Sequence, residues 1–365
     1  MTNIRILIVD DSSTTRLLLT RLLSRDPAIE IVATAADGQI ALTKLDQTLP
    51  VPDLVLLDVE MPHMDGLETL RAVRQKYPAM PVVMFSRLTQ RGAAKSVEAL
   101  FLGADDYVPK PDSKEALEHC IEHELLPRIR TLVALRTGVR SVASVTDAVQ
   151  PGSIETESIA KPAVSLRAGT AASSVDVVTI ASSTGGPAAL ASVLAALPPD
   201  LKVPVLIVQH MPVGFTAAFA ERLSQRTGLQ VLEAGPDQPL DAAQVWVAAA
   251  DHHMFLVRGS HGVRVQLNQA DPEHSCRPAA NVLFRSAADV FADGVLGVVL
   301  TGMGVDGLAG SQAIVDAGGR VIVQDEASSV VWGMAGSVAQ AGLADEMLSP
   351  IRIGRAIKDR VAQMR

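Results

Sequence analysis

Four short hydrophobic runs in the first third of the chain each deliver polar residues at their carboxyl ends. Asp10 and Asp11 follow Ile6-Leu7-Ile8-Val9, and Asp58 follows Leu54-Val55-Leu56-Leu57. Ser86 follows Val82-Val83-Met84-Phe85, and Lys110 comes just after Tyr107-Val108-Pro109. Brief apolar runs alternating with amphipathic segments predict a buried parallel sheet covered by helices. Open sheets of that kind hold their ligands in the crevice at the carboxyl ends of the strands. Three carboxylates, a hydroxyl and an ammonium at one rim suit a divalent cation and a phosphoryl group. Singly, each of these residues is explained as a strand or helix cap; as a set they are not.

At 365 residues the chain exceeds one ordinary core and predicts two domains. The first alternation runs from residue 4 to about 126, its last helix carrying Ala116, Leu117, Cys120, Ile121 and Leu125 at helical spacing. From about Thr137 to Ser174 the chain is rich in Ser, Thr, Ala, Pro and Gly without periodicity, which predicts a flexible linker. Strand-like runs then resume at Val175–Ala181, Pro204–Gln209, Val245–Ala249, Gly297–Thr301 and Arg320–Val323. The expectation is an α/β chain of two doubly wound parallel-sheet domains, with boundaries at residues 1–130, 131–173 and 174–365. Hydrophobic residues make up 48% and aromatic residues 3%, so the cores are expected to be built from Val, Leu, Ile and Ala.

A net charge of -8 argues against a broad nucleic-acid-binding surface, and no basic recognition-helix pattern follows the linker. Cys120 and Cys276 lie far apart without metal-ligand spacing, which fits a reducing compartment. The first residues run directly into a strand, leaving no room for a signal peptide. No apolar stretch approaches the roughly 20 residues of a membrane span. A soluble, cytoplasmic protein without membrane insertion is expected.

The rim explains its own residue types. A carboxylate that attacks a phosphoryl group needs its charge repulsion relieved by a hard, oxygen-ligated cation. Asp58, ending the central strand, is the candidate nucleophile. Asp10 and Asp11 would hold Mg²⁺, while Lys110 and Ser86 would bind the phosphoryl oxygens. The stretch resembles the receiver domain of two-component response regulators over essentially residues 1 to 126. Leu7-Ile8-Val9-Asp10-Asp11-Ser12, Leu56-Leu57-Asp58-Val59-Glu60-Met61-Pro62 and Tyr107-Val108-Pro109-Lys110-Pro111 carry that resemblance. It implies a flavodoxin-like fold and phosphorylation of Asp58 by a histidine-kinase partner. It also implies a metal contact from the Glu60 carbonyl, a cis Lys110-Pro111 bond, and Tyr107 as the aromatic residue that reports the phosphoryl state.

Beyond the linker, three further strand ends carry reactive groups. Ser183 lies in Ile180-Ala181-Ser182-Ser183-Thr184-Gly185-Gly186, His210 in Gln209-His210-Met211-Pro212, and Asp306 in Leu300-Thr301-Gly302-Met303-Gly304-Val305-Asp306-Gly307. Such a set can converge as nucleophile, base and orienting carboxylate. Ala181 spoils a Gly-x-Ser-x-Gly match, and the order Ser, His, Asp differs from that of α/β-hydrolases. Gly302-x-Gly304-x-x-Gly307, with Asp325 and Glu326 about 20 residues on, also fits a dinucleotide-binding turn. That rival puts Asp306 against the pyrophosphate and leaves Ser183 and His210 without work. His119 and His123 lack a third ligand, and the adjacent His252 and His253 would point to opposite strand faces, so no zinc is expected there.

Residues 175 to 345 resemble the catalytic domain of the chemotaxis protein-glutamate methylesterases, the CheB family. The three stretches above carry the match, with Gln324-Asp325-Glu326-Ala327-Ser328-Ser329 and Val331-Trp332-Gly333-Met334. The resemblance implies a Rossmann-like α/β esterase domain without a cofactor. In it Ser183 is the nucleophile, His210 the base, Asp306 the orienting carboxylate and the Met303 N–H an oxyanion donor. Substrates would be glutamate methyl esters, and glutamines to be deamidated, on methylated chemoreceptor cytoplasmic helices. Val305, Ala335 and the stretch around Cys276 depart from the family pattern. They leave open an inactive esterase fold that only binds receptors.

Overall fold

The computed structural model describes residues 3–87, 90–111, 113–137, 165–167 and 174–362. The first domain strings together β1 (Ile4–Val9), α1 (Ser13–Leu23), β2 (Ile29–Ala35), α2 (Gly38–Gln47) and β3 (Leu54–Leu57). It continues through α3 (Gly66–Lys76), β4 (Val82–Arg87), α4 (Gln90–Phe101), β5 (Asp106–Lys110) and α5 (Lys114–Cys120). Every neighbouring pair in its sheet is parallel, in the order β2-β1-β3-β4-β5. The chain therefore reverses its winding between β1 and β3, and Asp10 and Asp58 end those two strands.

The helix after β5 does not stop at residue 130. A π turn at Ile121–Leu125 joins α5 to α6 (Leu126–Thr137), so the first seven residues assigned to the linker are helical. Apart from these and residues 165–167, the expected linker lies outside the described residues. The Lys110–Pro111 bond is also not cis; among the described residues the cis bonds are Leu49–Pro50 and Arg277–Pro278. Lys110 is still in the strand, in register opposite Arg87, and the bond keeps the trans form that an X–Pro bond intrinsically prefers by about 0.5–1 kcal/mol.

The second domain is built on β6 (Val177–Ser182), α7 (Gly186–Leu194), β7 (Val205–Gln209), α8 (Thr216–Thr227), β8 (Val231–Glu233), β9 (Gln238–Pro239) and β10 (Val245–Val247). Next come β11 (His253–Gly259), β12 (Gly262–Asn268), α9 (Ala280–Phe291), β13 (Val295–Val299) and α10 (Leu308–Asp316). It ends with β14 (Arg320–Gln324), α11 (Met334–Gln340), β15 (Glu346–Leu348) and α12 (Pro350–Ala362). Seven strands form a parallel sheet in the order β15-β14-β13-β6-β7-β10-β8. β6 is its first strand in sequence and sits between β7 and β13, which makes it the switch point. A small antiparallel sheet, β11-β12-β9, lies apart from it and was not anticipated. The central strands β6, β7 and β13 are buried along their whole length, as expected for a sheet covered on both faces.

Candidate active site and phosphoryl-accepting rim

At the receiver-type rim, Lys110 Nζ stands 2.5 Å from both Asp10 Oδ2 and Asp58 Oδ2. Asp58 Oδ1 also accepts the Val59 N–H at 2.7 Å, which fixes the carboxylate. Burial pushes the Asp10 carboxyl up against the opposing pull of Lys110. The carboxylates of Asp10, Asp11 and Asp58 bring ligand oxygens within 4.8 Å of one another. An all-oxygen donor set at that spacing fits a hard dication such as Mg²⁺. A cavity of about 440 Å³ opens over Asp10, Asp11, Asp58 and Lys110. Ser86 is buried at the end of β4, and its carbonyl accepts the Tyr107 hydroxyl at 2.9 Å. Glu60 is exposed in the turn after β3.

In the second domain three adjacent strand ends converge. Ser183 leaves β6, His210 leaves β7, and Asp306 sits in the turn between β13 and α10. His210 Nε2 lies 2.8 Å from Asp306 Oδ2. Asp306 in turn accepts backbone N–H groups of Ala280 at 2.6 Å and Asn281 at 3.0 Å. That inward-facing carboxylate is fully engaged by His210 and the two backbone donors, the arrangement expected of an orienting carboxylate. Gln209 ties the first two strand ends together, its Nε2 donating to the carbonyls of Ser183 and His210 at 3.0 and 3.1 Å. The Ser183 N–H donates to Thr301 at 3.1 Å. Gly302 is required by close approach, since a Cβ there would lie 2.3 Å from Met334 Sδ and 2.8 Å from Ser183 Cβ. Met303 follows it, its half-buried side chain packed on the apolar cluster that holds Val331 and, from α6, Ile129, Leu132 and Val133.

Electrostatics set the protonation of His210. Burial pulls the His210 pKa down, but the Asp306 carboxylate and the Cys276 sulfur outweigh it and hold it at about 9. For Asp306, burial pushes upward and loses to His210 and the two backbone donors, so its pKa lies below the ordinary value. The balance favours the protonated imidazole. If His210 acts as a general base, the kcat/KM of the unphosphorylated chain is expected to climb with pH up to about 9, where the imidazole loses its proton. A profile flat above about pH 7 would contradict it. The same pair stabilises the fold fully between 3.8 and 6.5, the ordinary carboxylate and histidine values; the contribution is lost as pH rises through about 9 and as it falls through the depressed Asp306 pKa.

The surface that closes this site comes from the first domain. β5 of the first domain faces the catalytic turn, and Asp106 Oδ2 accepts the Thr184 hydroxyl at 2.6 Å, one residue from Ser183. The Tyr107 and Phe215 rings lie 4.5 Å apart, and Phe101 of α4 stacks on Phe219 of α8 at 5.8 Å. Arg222 pairs with Glu98, and the Arg226 guanidinium lies 4.8 Å from the Phe101 ring. Between Ser183 and His210 on one side and Asp105, Asp106 and Tyr107 on the other, a cavity of about 20 Å³ remains. That holds a water and excludes an ester.

Comparison with known proteins agrees with both halves. The CheB methylesterase family profile matches residues 178–357, and that of the response regulator receiver domain matches residues 6–122. A protein-glutamate methylesterase/protein-glutamine glutaminase of Trichodesmium erythraeum is 44% identical over 99% of this chain and all of its own. One of the same description from a Nocardioides species is 46% identical over all of this chain and 97% of its own. The solved catalytic domain of the Thermotoga maritima CheB methylesterase is 35% identical at a TM-score of 0.50, covering 51% of this chain and 99% of that one. With both domains present in the family's order and the likeness running from end to end, the chain belongs to the protein-glutamate methylesterase/protein-glutamine glutaminase family.

Proposed function

We propose that the chain is a phosphorylation-controlled serine esterase that hydrolyses glutamate methyl esters on chemoreceptor cytoplasmic helices during chemotaxis adaptation. Ser183 attacks the ester carbonyl while His210 takes its proton, and the proton passes to the departing methoxide to release methanol. Water, deprotonated by the same imidazole, then attacks the acyl-Ser183 carbonyl and regenerates the receptor carboxylate. Glutamine deamidation follows the same path with ammonia leaving. Asp306 fixes the imidazole through Nε2 and balances its charge. The Met303 N–H is the donor assigned to the developing oxyanion. The observation that carries the reading is the 2.8 Å His210–Asp306 pair, whose His210 lines one cavity with Ser183 at the switch point of the sheet.

The division of labour is a receiver over residues 1–130 with a helical extension to Thr137, a tether, and a catalytic domain over residues 174–365. Asp58 accepts the phosphoryl group from the chemotaxis histidine kinase, with Ser86 and Lys110 as partners of its oxygens. Asp10, Asp11, Asp58 and the Glu60 carbonyl would hold Mg²⁺, which neutralises charge on the transferring phosphoryl group. A cytoplasmic site of action follows from this substrate and this donor. In the unphosphorylated chain the receiver covers the esterase site, and Tyr107, wedged between Ser86 and Phe215, links rim to cover. Asp58→Asn is expected to take up no radiolabelled phosphoryl group from acetyl phosphate and Mg²⁺, and to show no acceleration of methanol release. Labelling at the wild-type level would overturn the assignment of Asp58.

A further inference from the structure

The Sγ of Cys276 lies 3.7 Å from Nδ1 of His210. Asp306 occupies the other ring nitrogen, Nε2, at 2.8 Å, so Nδ1 is the atom left to serve Ser183. An imidazole nitrogen has a single in-plane hydrogen-bonding direction and serves one partner at a time. We propose that Cys276 is a positioning residue that parks the catalytic base, its sulfur accepting the Nδ1–H of His210 in the resting chain. The base reaches Ser183 only after letting that contact go.

The position of the sulfur is fixed from both sides. Glu273 and Cys276 exchange two backbone hydrogen bonds, at 3.1 and 2.8 Å, across a turn whose central residues His274 and Ser275 have φ of 50° and 61°. Non-glycine residues adopt that left-handed region at a cost, so the turn is held there by its surroundings. Arg285 pairs with Glu273 on one flank, and Arg277 Nε donates to Asp251 at 2.9 Å on the other. Cys276 is half-buried and free of any disulfide. The other cysteine, Cys120, is buried in the receiver with its pKa pushed up to about 12 by that burial.

The groups around His210 come from every element packed on it. Asp306 reaches it from the turn before α10 and Cys276 from the 273–276 turn; Asp105, Asp106 and Tyr107 of the receiver line the same cavity. No lysine or arginine lines that cavity among the described residues. A protonated ring thus donates Nε2–H to a carboxylate and Nδ1–H to sulfur, and removing the sulfur removes one of its two acceptors.

The proposal rests on His210 being the esterase base, and its test separates the two ideas. Ring nitrogens of His210 are followed by NMR in the full unphosphorylated chain, labelled at histidine, for wild type, Cys276→Ala and Cys276→Ser. The wild-type ring is expected to titrate at about 9. In Cys276→Ala the midpoint falls, and the neutral-pH esterase rate rises roughly tenfold for each unit of that fall. Cys276→Ser, which keeps a hydrogen-bonding group, lies between them and carries the test alone if the alanine variant fails to fold. An unchanged midpoint in a folded variant overturns the role of Cys276, and so does a lowered rate with the midpoint unmoved, which is a structural effect only. Failure of the esterase reading shows elsewhere, as methanol release that survives Ser183→Ala.

Discussion

Ser183→Ala lowers methanol release from methylated receptor fragments by about 10³-fold or more, while the fold is retained. Loss of a serine nucleophile removes the covalent path and leaves only what binding and oxyanion donors supply. The structural work of this residue is done by its backbone: the N–H donates to Thr301, and the carbonyl accepts from Gly186 at 2.8 Å and Gln209 at 3.0 Å. Alanine keeps all three, so the melting temperature should stay near that of the wild type. Because nucleophile and base act as a unit, adding His210→Gln to Ser183→Ala should cost little more. Retention of the wild-type rate by Ser183→Ala would overturn the nucleophile. A collapse of stability together with rate would show that the residue holds the turn rather than attacks the ester.

The strand-end positions of both candidate sites were legible because each hydrophobic run is short and its polar residue follows at once. In a parallel sheet buried on both faces, a carboxylate, hydroxyl or imidazole at a strand end is the residue that reaches the crevice. Asp58 and His210 could be placed from a few neighbours each. What remained hidden needed information that is not local. Pro127 reads as a helix stop, yet the chain turns wide just before it, Leu126 N–H bonding back to Ile121, and the helix runs on to Thr137. Phe101, Phe215 and Phe219 each read as ordinary core residues of their own domains, and nothing in their spacing says that they meet across the interface. Cys276 and His210 stand 66 positions apart, and no motif joins them. The hairpin of β11 and β12 was in principle readable from the Gly259-Ser260-His261-Gly262 turn between alternating runs.

The interface makes the second large effect. Phe101→Asp in the unphosphorylated full chain is expected to raise the basal esterase rate about tenfold or more. The ring stacks on Phe219 and carries the Arg226 guanidinium on its face. An aromatic pair contributes about 0.5–1.5 kcal/mol beyond its burial, and burial of a large apolar side chain roughly 1.5–3 kcal/mol. Losing even part of this and placing a carboxylate opposite Phe219 shifts the docking equilibrium by more than about 1.4 kcal/mol, a factor of about ten. Arg222→Glu, opposite Glu98, should move the rate the same way by less, because an ion pair at a partly exposed edge is worth about 0.2–1 kcal/mol. Combining Phe101→Asp with Asp58→Asn gives the decisive arm. If the receiver acts by covering the 20 Å³ cavity beside Ser183, the double variant is active without any phosphoryl donor and does not respond to one. If it stays as slow as Asp58→Asn alone, undocking is insufficient and phosphorylation must act on the catalytic turn itself. Asp106, one hydrogen bond from Thr184, would then be the route to examine.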